Sequence, residues 1–148
     1  MTSEQHAIEE RIGASFAKQG LMATLGASLG SVTPGRVEIV LIPGPAVSQQ
    51  HGFAHAGAVS AIADSAAGYA ALSLMSPGRG VLTTEFKINL VAPAAGERIV
   101  ARGKVVKAGR TLTLAQANVF AEAGGQEKLV ALLTATLMAI EGRDGVSD

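Results

Sequence analysis

One carboxylate stands alone in the stretch from His55 to Ala71: Asp64, among residues that are otherwise small or apolar. Burial disfavours the charged form of an acid, so a carboxylate in an alanine-rich helix is either wet or put to use. At 3.6 residues per turn, Ser60, Asp64 and Gly68 fall on one helical face. That stripe either faces solvent or lines a site, where the acid takes a proton from water or attacks an electrophilic carbon itself.

A second ingredient lies at the start of the same helix. The run Ala54–Ala58, AHAGA, sets a glycine-containing turn at a helix N-terminus. There the first backbone N–H groups lack internal acceptors and the helix dipole favours negative charge. Such an end can hold the oxygen of a polarised carbonyl. Eight residues separate Ala56 from Asp64, about 12 Å at 1.5 Å per residue. One helix therefore cannot bring its own N-terminus and its own acid to one carbonyl, whereas two antiparallel copies in a twofold dimer can. The spacing predicts a dimer if it predicts a catalyst.

His51 and His55, four residues apart with no third ligand in place, do not make a metal site, and no metal is expected. With no cysteine, thiolate nucleophiles, disulfides and Cys-ligated zinc drop out. Only 3% of residues are aromatic, which leaves little for stacking on nucleic-acid bases. Twelve Lys plus Arg balance twelve Asp plus Glu, and no block of like charge suggests docking to DNA or a membrane. The polar, acidic opening MTSEQHAIEERIG lacks signal-peptide character, and no apolar run of about 18 residues exists. A cytoplasmic protein is expected.

These residues need a scaffold. A length of 148 residues with 48% hydrophobic content suits one domain over 1–148. Thr2 and Gln5 make a capping-box pattern ahead of Ile8, Ile12 and Phe16, predicting a helix over about 3–19. Strands are expected over Leu21–Val32 and Arg36–Leu41, with a turn at Thr33–Gly35. A proline- and glycine-containing loop follows, then the small-residue helix over about Gly57–Leu74. Four further strands read over Val81–Val91, Arg98–Lys107, Thr111–Phe120 and Lys128–Ile140 in meander spacing. The polar tail EGRDGVSD is expected to fray. The sum is an α+β fold: six antiparallel strands curled around a long central helix, core over about 21–140, with an extra N-terminal helix. Its open edge strand offers a route to dimerisation.

Three strings in this order, QQHGFAHAGAVSAIADSAAGYAAL, VLTTEFKINLVAPA and VVKAGRTLTLAQANV, resemble the hotdog-fold acyl-CoA thioesterases, in particular the branch typified by phenylacetate-pathway enzymes. The resemblance implies hydrolysis of an aryl- or medium-chain acyl-CoA by a homodimer or homotetramer, with CoA entering as part of the substrate and no separate cofactor. In the family motif a His is followed by two glycines, with an acid nine positions after the His; here these positions are His55, Ala56, Gly57 and Asp64. The carbonyl-polarising amide then belongs to Ala56, Asp64 is base or nucleophile, and His55 holds the turn. Gln49 matches a family position that orients water or the carbonyl. Thr83, or Thr84 one residue on, matches the hydroxyl supporting the attacking water; strand alternation lets only one of them face the site. Lys107, Gly109 and Arg110 resemble a hairpin tip that contacts CoA, with Arg79 a further candidate. Hotdog hydratases and dehydratases use a His paired with an acid at other spacings. A non-catalytic acyl-CoA-binding protein is the remaining alternative, although binding alone has no need of the acid at Asp64.

Overall fold

The computed structural model describes residues 1–141 and 145–148. Helix α1 (Ser3–Ala17) opens with Thr2 Oγ1 accepting the Gln5 amide hydrogen at 3.1 Å. Only half of the expected capping box forms, because the Gln5 side chain turns instead to Glu9 and to the Val32 carbonyl. Ile12 is fully buried, with Ile8 and Phe16 packed beside it.

The first expected strand proves to be two elements, α2 (Gly20–Leu25) and β1 (Ser28–Thr33). Leu21, Met22, Ala23 and Leu25 are strong helix formers without β-branching. Gly26, in the left-handed region at φ 69°, stops the helix and turns the chain into β1. Strand β2 (Arg36–Leu41) follows as expected, and a 3-10 turn at Pro45–Val47 leads into the long helix α3 (Ala56–Leu72). The remaining strands are β3 (Gly80–Leu90), β4 (Arg98–Ala108), β5 (Leu112–Ala123) and β6 (Gln126–Ile140).

All six strands form one antiparallel sheet in the order β1-β2-β4-β5-β6-β3. Meander spacing would have set β3 beside β4. Instead the chain crosses over α3, so β3 pairs with β6 and becomes an outer edge. The sheet curls around α3, whose residues Ile62, Ala63, Ala66, Ala67 and Ala70 are completely buried. This is the hotdog arrangement, a helix wrapped by a sheet.

The alanines of α3 explain how closely sheet and helix approach. A Cβ on Gly103 of β4 would lie 2.2 Å from the carbonyl oxygen of Ala66. Helix backbone and strand backbone meet there with nothing larger than hydrogen between them. Around this contact Ile39, Leu41, Ile99, Leu133 and Leu137 fill the core.

The expected fraying of the tail Glu141–Asp148 falls partly on residues 142–144, outside the described residues. Beyond them, Asp148 is tied down: its carboxylate pairs with Arg11 and accepts the Gly78 amide hydrogen at 2.9 Å.

Candidate active site

His55 is the N-cap of α3, and its ring decides which amides of the first turn are spent. Nδ1 accepts the Gly57 N–H at 2.7 Å, while Ala58 and Val59 both donate to the His55 carbonyl, at 2.9 and 3.1 Å. Among the described residues the Ala56 N–H has no acceptor. The free donor at this helix end is therefore the one at the Ala56 position, and His55 is engaged in ordering the turn.

Gln49 stands beside it. Its side-chain oxygen accepts from two loop amides, His51 N–H at 2.6 Å and Phe53 N–H at 3.2 Å. That fixes the orientation of the amide and leaves its NH₂ as a donor without a protein acceptor among the described residues. Gln49, His55 and Ala56 line one cleft of about 320 Å³, whose other walls include Phe53, Val59, Leu90 and Pro93. His51 is exposed, its ring 3.4 Å from the Gln50 side chain, and takes no part in the cleft.

Asp64 lies on the same helix but opens into a different pocket, of about 260 Å³, with Thr83. Thr83 Oγ1 donates to Asp64 Oδ1 at 2.8 Å. Thr84 instead donates to the Thr136 carbonyl at 3.1 Å and does not line the Asp64 pocket. A β-bulge lies at this point: Thr83 pairs with the buried Leu137, Glu85 already pairs with Thr136, and Thr84 is the extra residue between them. Burial raises the Asp64 carboxyl above its ordinary value, and the Thr83 hydrogen bond, which favours the charged form, offsets part of the rise. Asp64 Oδ2 has no hydrogen-bond partner among the described residues.

One protomer thus gathers Gln49, His55, Ala56 and Gly57 at one end of α3, and Asp64 with Thr83 two turns along. It does not bring the two groups together. The edge strand β3 runs past both. Phe86 and Leu90, on its helix-facing side, are 47% and 51% exposed, so the protomer leaves an apolar border uncovered there.

The basic hairpin between β4 and β5 is placed less centrally. Lys107 pairs with Leu114 on the sheet face turned away from α3. A Cβ on Gly109 would lie 2.3 Å from the Leu112 carbonyl oxygen, so the tight hairpin by itself requires glycine there. Arg79 donates to the Arg110 carbonyl at 3.2 Å and pairs with Glu141 at 3.1 Å, bracing this tip. Among the described residues no cluster of three His, Cys, Asp or Glu is placed to hold a metal ion. No helix among the described residues is long and apolar enough to cross a membrane.

A family model described as the thioesterase superfamily matches residues 51–128, which span the α3 N-terminus, Asp64 and Thr83. The chain belongs to the thioesterase superfamily. Among solved structures it is similar to a thioesterase family protein from Silicibacter pomeroyi, at 52% identity and TM-score 0.89, covering 91% of this chain and 99% of that one. The PaaI protein of the E. coli phenylacetic acid degradation operon shares the fold, with TM-score 0.84 at 21% identity over 98% and 99% of the two chains. Thioesterase HI1161 from Haemophilus influenzae does so too, with TM-score 0.81 at 19% identity over 92% of each chain. No curated protein matches this sequence.

Sequence reasoning missed the other polar residues that line the Asp64 pocket, Ser65, Tyr69 and Ser147 as well as two that are remote along the chain. Ser15 and Gln19, from α1 and the α1–α2 junction, help line the Asp64 pocket. They lie 49 and 45 residues before Asp64 in sequence, and no local pattern marks them.

Proposed function

We infer that this superfamily member hydrolyses an acyl-CoA thioester, at two equivalent sites shared across a homodimer. The observation that carries the reading is the division of labour along α3. The amide left free by His55 stands at one end, and a desolvated carboxylate stands eight residues away, too far to act with it inside one protomer. Antiparallel pairing through the open β3 edge would cover Phe86 and Leu90 and set the Asp64 of one copy against the Ala56 N–H of the other.

In that site the ionised Asp64 acts through Oδ2, either taking a proton from water or attacking the thioester carbonyl to form an anhydride. The developing oxyanion is held by the Ala56 N–H, with the α3 dipole behind it, and by the Gln49 NH₂. In the general-base route, the C–S bond breaks as the tetrahedral intermediate collapses and the proton held by Asp64 passes to the CoA sulfur. Water adds to the acyl carbon, and the products are free acid and CoA. His55 keeps Gly57 N–H occupied and Ala56 N–H aimed outward. Thr83 anchors Oδ1 so that Oδ2 keeps its direction. Lys107 and Arg110 are the proposed contacts for CoA phosphates, on a hairpin whose backbone Gly109 makes possible.

The acyl group is aryl or medium-chain in this reading. Branch membership beside the phenylacetate-pathway enzymes and assembly into a tetramer rest on sequence resemblance. The test is thiol release from a panel of aryl- and straight-chain acyl-CoAs, with Asp64→Asn as control. Release abolished by that substitution supports hydrolysis. Tight binding with no release from any member of the panel supports a binding protein instead.

A further inference from the structure

The pocket at Asp64 is amphipathic, and its polar wall joins Ser15 and Gln19, from α1 and the α1–α2 junction, to Ser65 and Tyr69 of α3. Gln19 Nε2 donates to Tyr69 Oη at 2.8 Å, Ser65 Oγ donates to Gln19 Oε1 at 3.3 Å, and Ser15 Oγ lies 3.2 Å from Tyr69 Oη. Tyr69 is 4% exposed, and Gln19 is held by its backbone at the junction of α1 and α2. Leu72 and Val81 form the apolar side.

Counting hydrogens gives the chemistry of what this wall accepts. The chain of bonds runs from Ser65 to Gln19 to Tyr69. Among the described residues it leaves the second Nε2 hydrogen of Gln19 and one hydrogen of the Ser15–Tyr69 hydroxyl pair without acceptors. Two spare donors call for a hydrogen-bond acceptor on the ligand. No Lys, Arg or His lines the pocket, whereas the Asp64 carboxylate does, so charge disfavours an anionic group there. The complement is a neutral oxygen. Tyr69 lies five residues beyond Asp64 on α3, about 7.5 Å along the axis, which a chain of about six bonds from the thioester carbonyl spans.

We propose that this pocket is the acyl-recognition subsite, that it selects acyl groups carrying a neutral hydroxyl or carbonyl oxygen about six bonds from the thioester, and that Gln19 is the residue that reads it. The proposal rests on the hydrolase reading above and deepens it. Three probes of matched length decide it: heptanoyl, 6-hydroxyhexanoyl and adipoyl chains ending in methyl, hydroxyl and carboxylate. Each is joined to CoA through an analogue in which a methylene separates sulfur from carbonyl, so that nothing is hydrolysed.

Calorimetric Kd values on the full-length protein should rank hydroxyhexanoyl about tenfold tighter than heptanoyl, with adipoyl weakest. In Gln19→Leu the first preference should reverse while heptanoyl affinity is kept. Heptanoyl binding as tightly as hydroxyhexanoyl, adipoyl binding best, or no binding at all would overturn the proposal. So would an equal loss for all three probes in Gln19→Leu, the mark of a merely structural tie. Failure of the hydrolase reading shows separately, as analogues that bind while the corresponding thioesters release no thiol.

Discussion

Thr83 on the edge strand donates its hydroxyl hydrogen to Asp64 on the central helix at 2.8 Å, fixing one carboxylate oxygen and leaving the other unbonded. If that free oxygen begins the reaction, Asp64→Asn lowers kcat by about 10²–10⁴-fold. Thr83→Val keeps the shape but removes a bond that favours the charged carboxylate. The acid limb of its kcat/KM profile should move to higher pH than in the wild type, read from initial rates between pH 4 and 9. Thr84→Val, which loses only a bond to the Thr136 carbonyl, should leave that limb where it was.

Ala56 is the first residue of α3, where proline is well tolerated, and His55 before it already has extended backbone at φ −63°, ψ 141°. Ala56→Pro therefore deletes the free N–H with little change in Tm, and kcat should fall about 10²–10³-fold. Mixing this variant with Asp64→Asn after subunit exchange creates heterodimers with one intact composite site. Random pairing makes half the dimers mixed, each with one of two sites intact, so activity should recover to about a quarter of the wild-type value. Two dead variants that stay dead when exchange is verified by mass spectrometry rule out the shared site.

Because burial raises the Asp64 carboxyl, the native protein keeps that proton to higher pH than the unfolded chain, whose value is about 3.9. The stability this group contributes is present below the unfolded value and is lost as pH rises through the folded one. Asp64→Asn carries no such loss. Its Tm advantage over wild type should be smallest near pH 4, grow as pH rises, then level off. An advantage that shrinks with rising pH would contradict the sign of the shift.

Gly103→Ala places a methyl 2.2 Å from the Ala66 carbonyl oxygen, backbone against backbone. Denaturant unfolding should register a loss of at least about 1–3 kcal/mol. Gly13→Ala, in the interior of α1 with open space around it, serves as the opposite control and should gain up to about 1 kcal/mol.

The basic hairpin is tested by Lys107→Ala combined with Arg110→Ala. If these side chains hold CoA phosphates, KM for acyl-CoA rises about tenfold at nearly constant kcat. The same acyl group on N-acetylcysteamine, which lacks the nucleotide, should show no change. A parallel rise for both substrates would mean that the hairpin acts through the fold.

Much of this molecule is local in origin and was legible from sequence. The α3 run, β2 and the later strands lie within a few residues of their expected bounds, because small-residue runs, glycine-marked turns and alternation act over short distances. The stretch from Leu21 to Val32 misled, since an apolar run without charges fits a strand as readily as a helix followed by a strand. The place of β3 was hidden for another reason. Strand order depends on where the chain lands after crossing α3, and spacing along the sequence carries no record of that landing.

By itself the sequence determined that a lone acid shares a helix with an exposed N-terminus, and that helix rise keeps the two apart within one chain. Tertiary structure decided which hydroxyl meets the acid: Thr83 reaches Asp64, while Thr84, at a one-residue bulge, bonds the Thr136 carbonyl. It also decided that Gln19 closes on Tyr69 across 50 residues, and that the His55 ring takes the Gly57 amide and leaves Ala56 free. Rise per residue is a property of any helix, whereas these contacts exist only once the sheet has closed and each hydrogen has found or missed its acceptor.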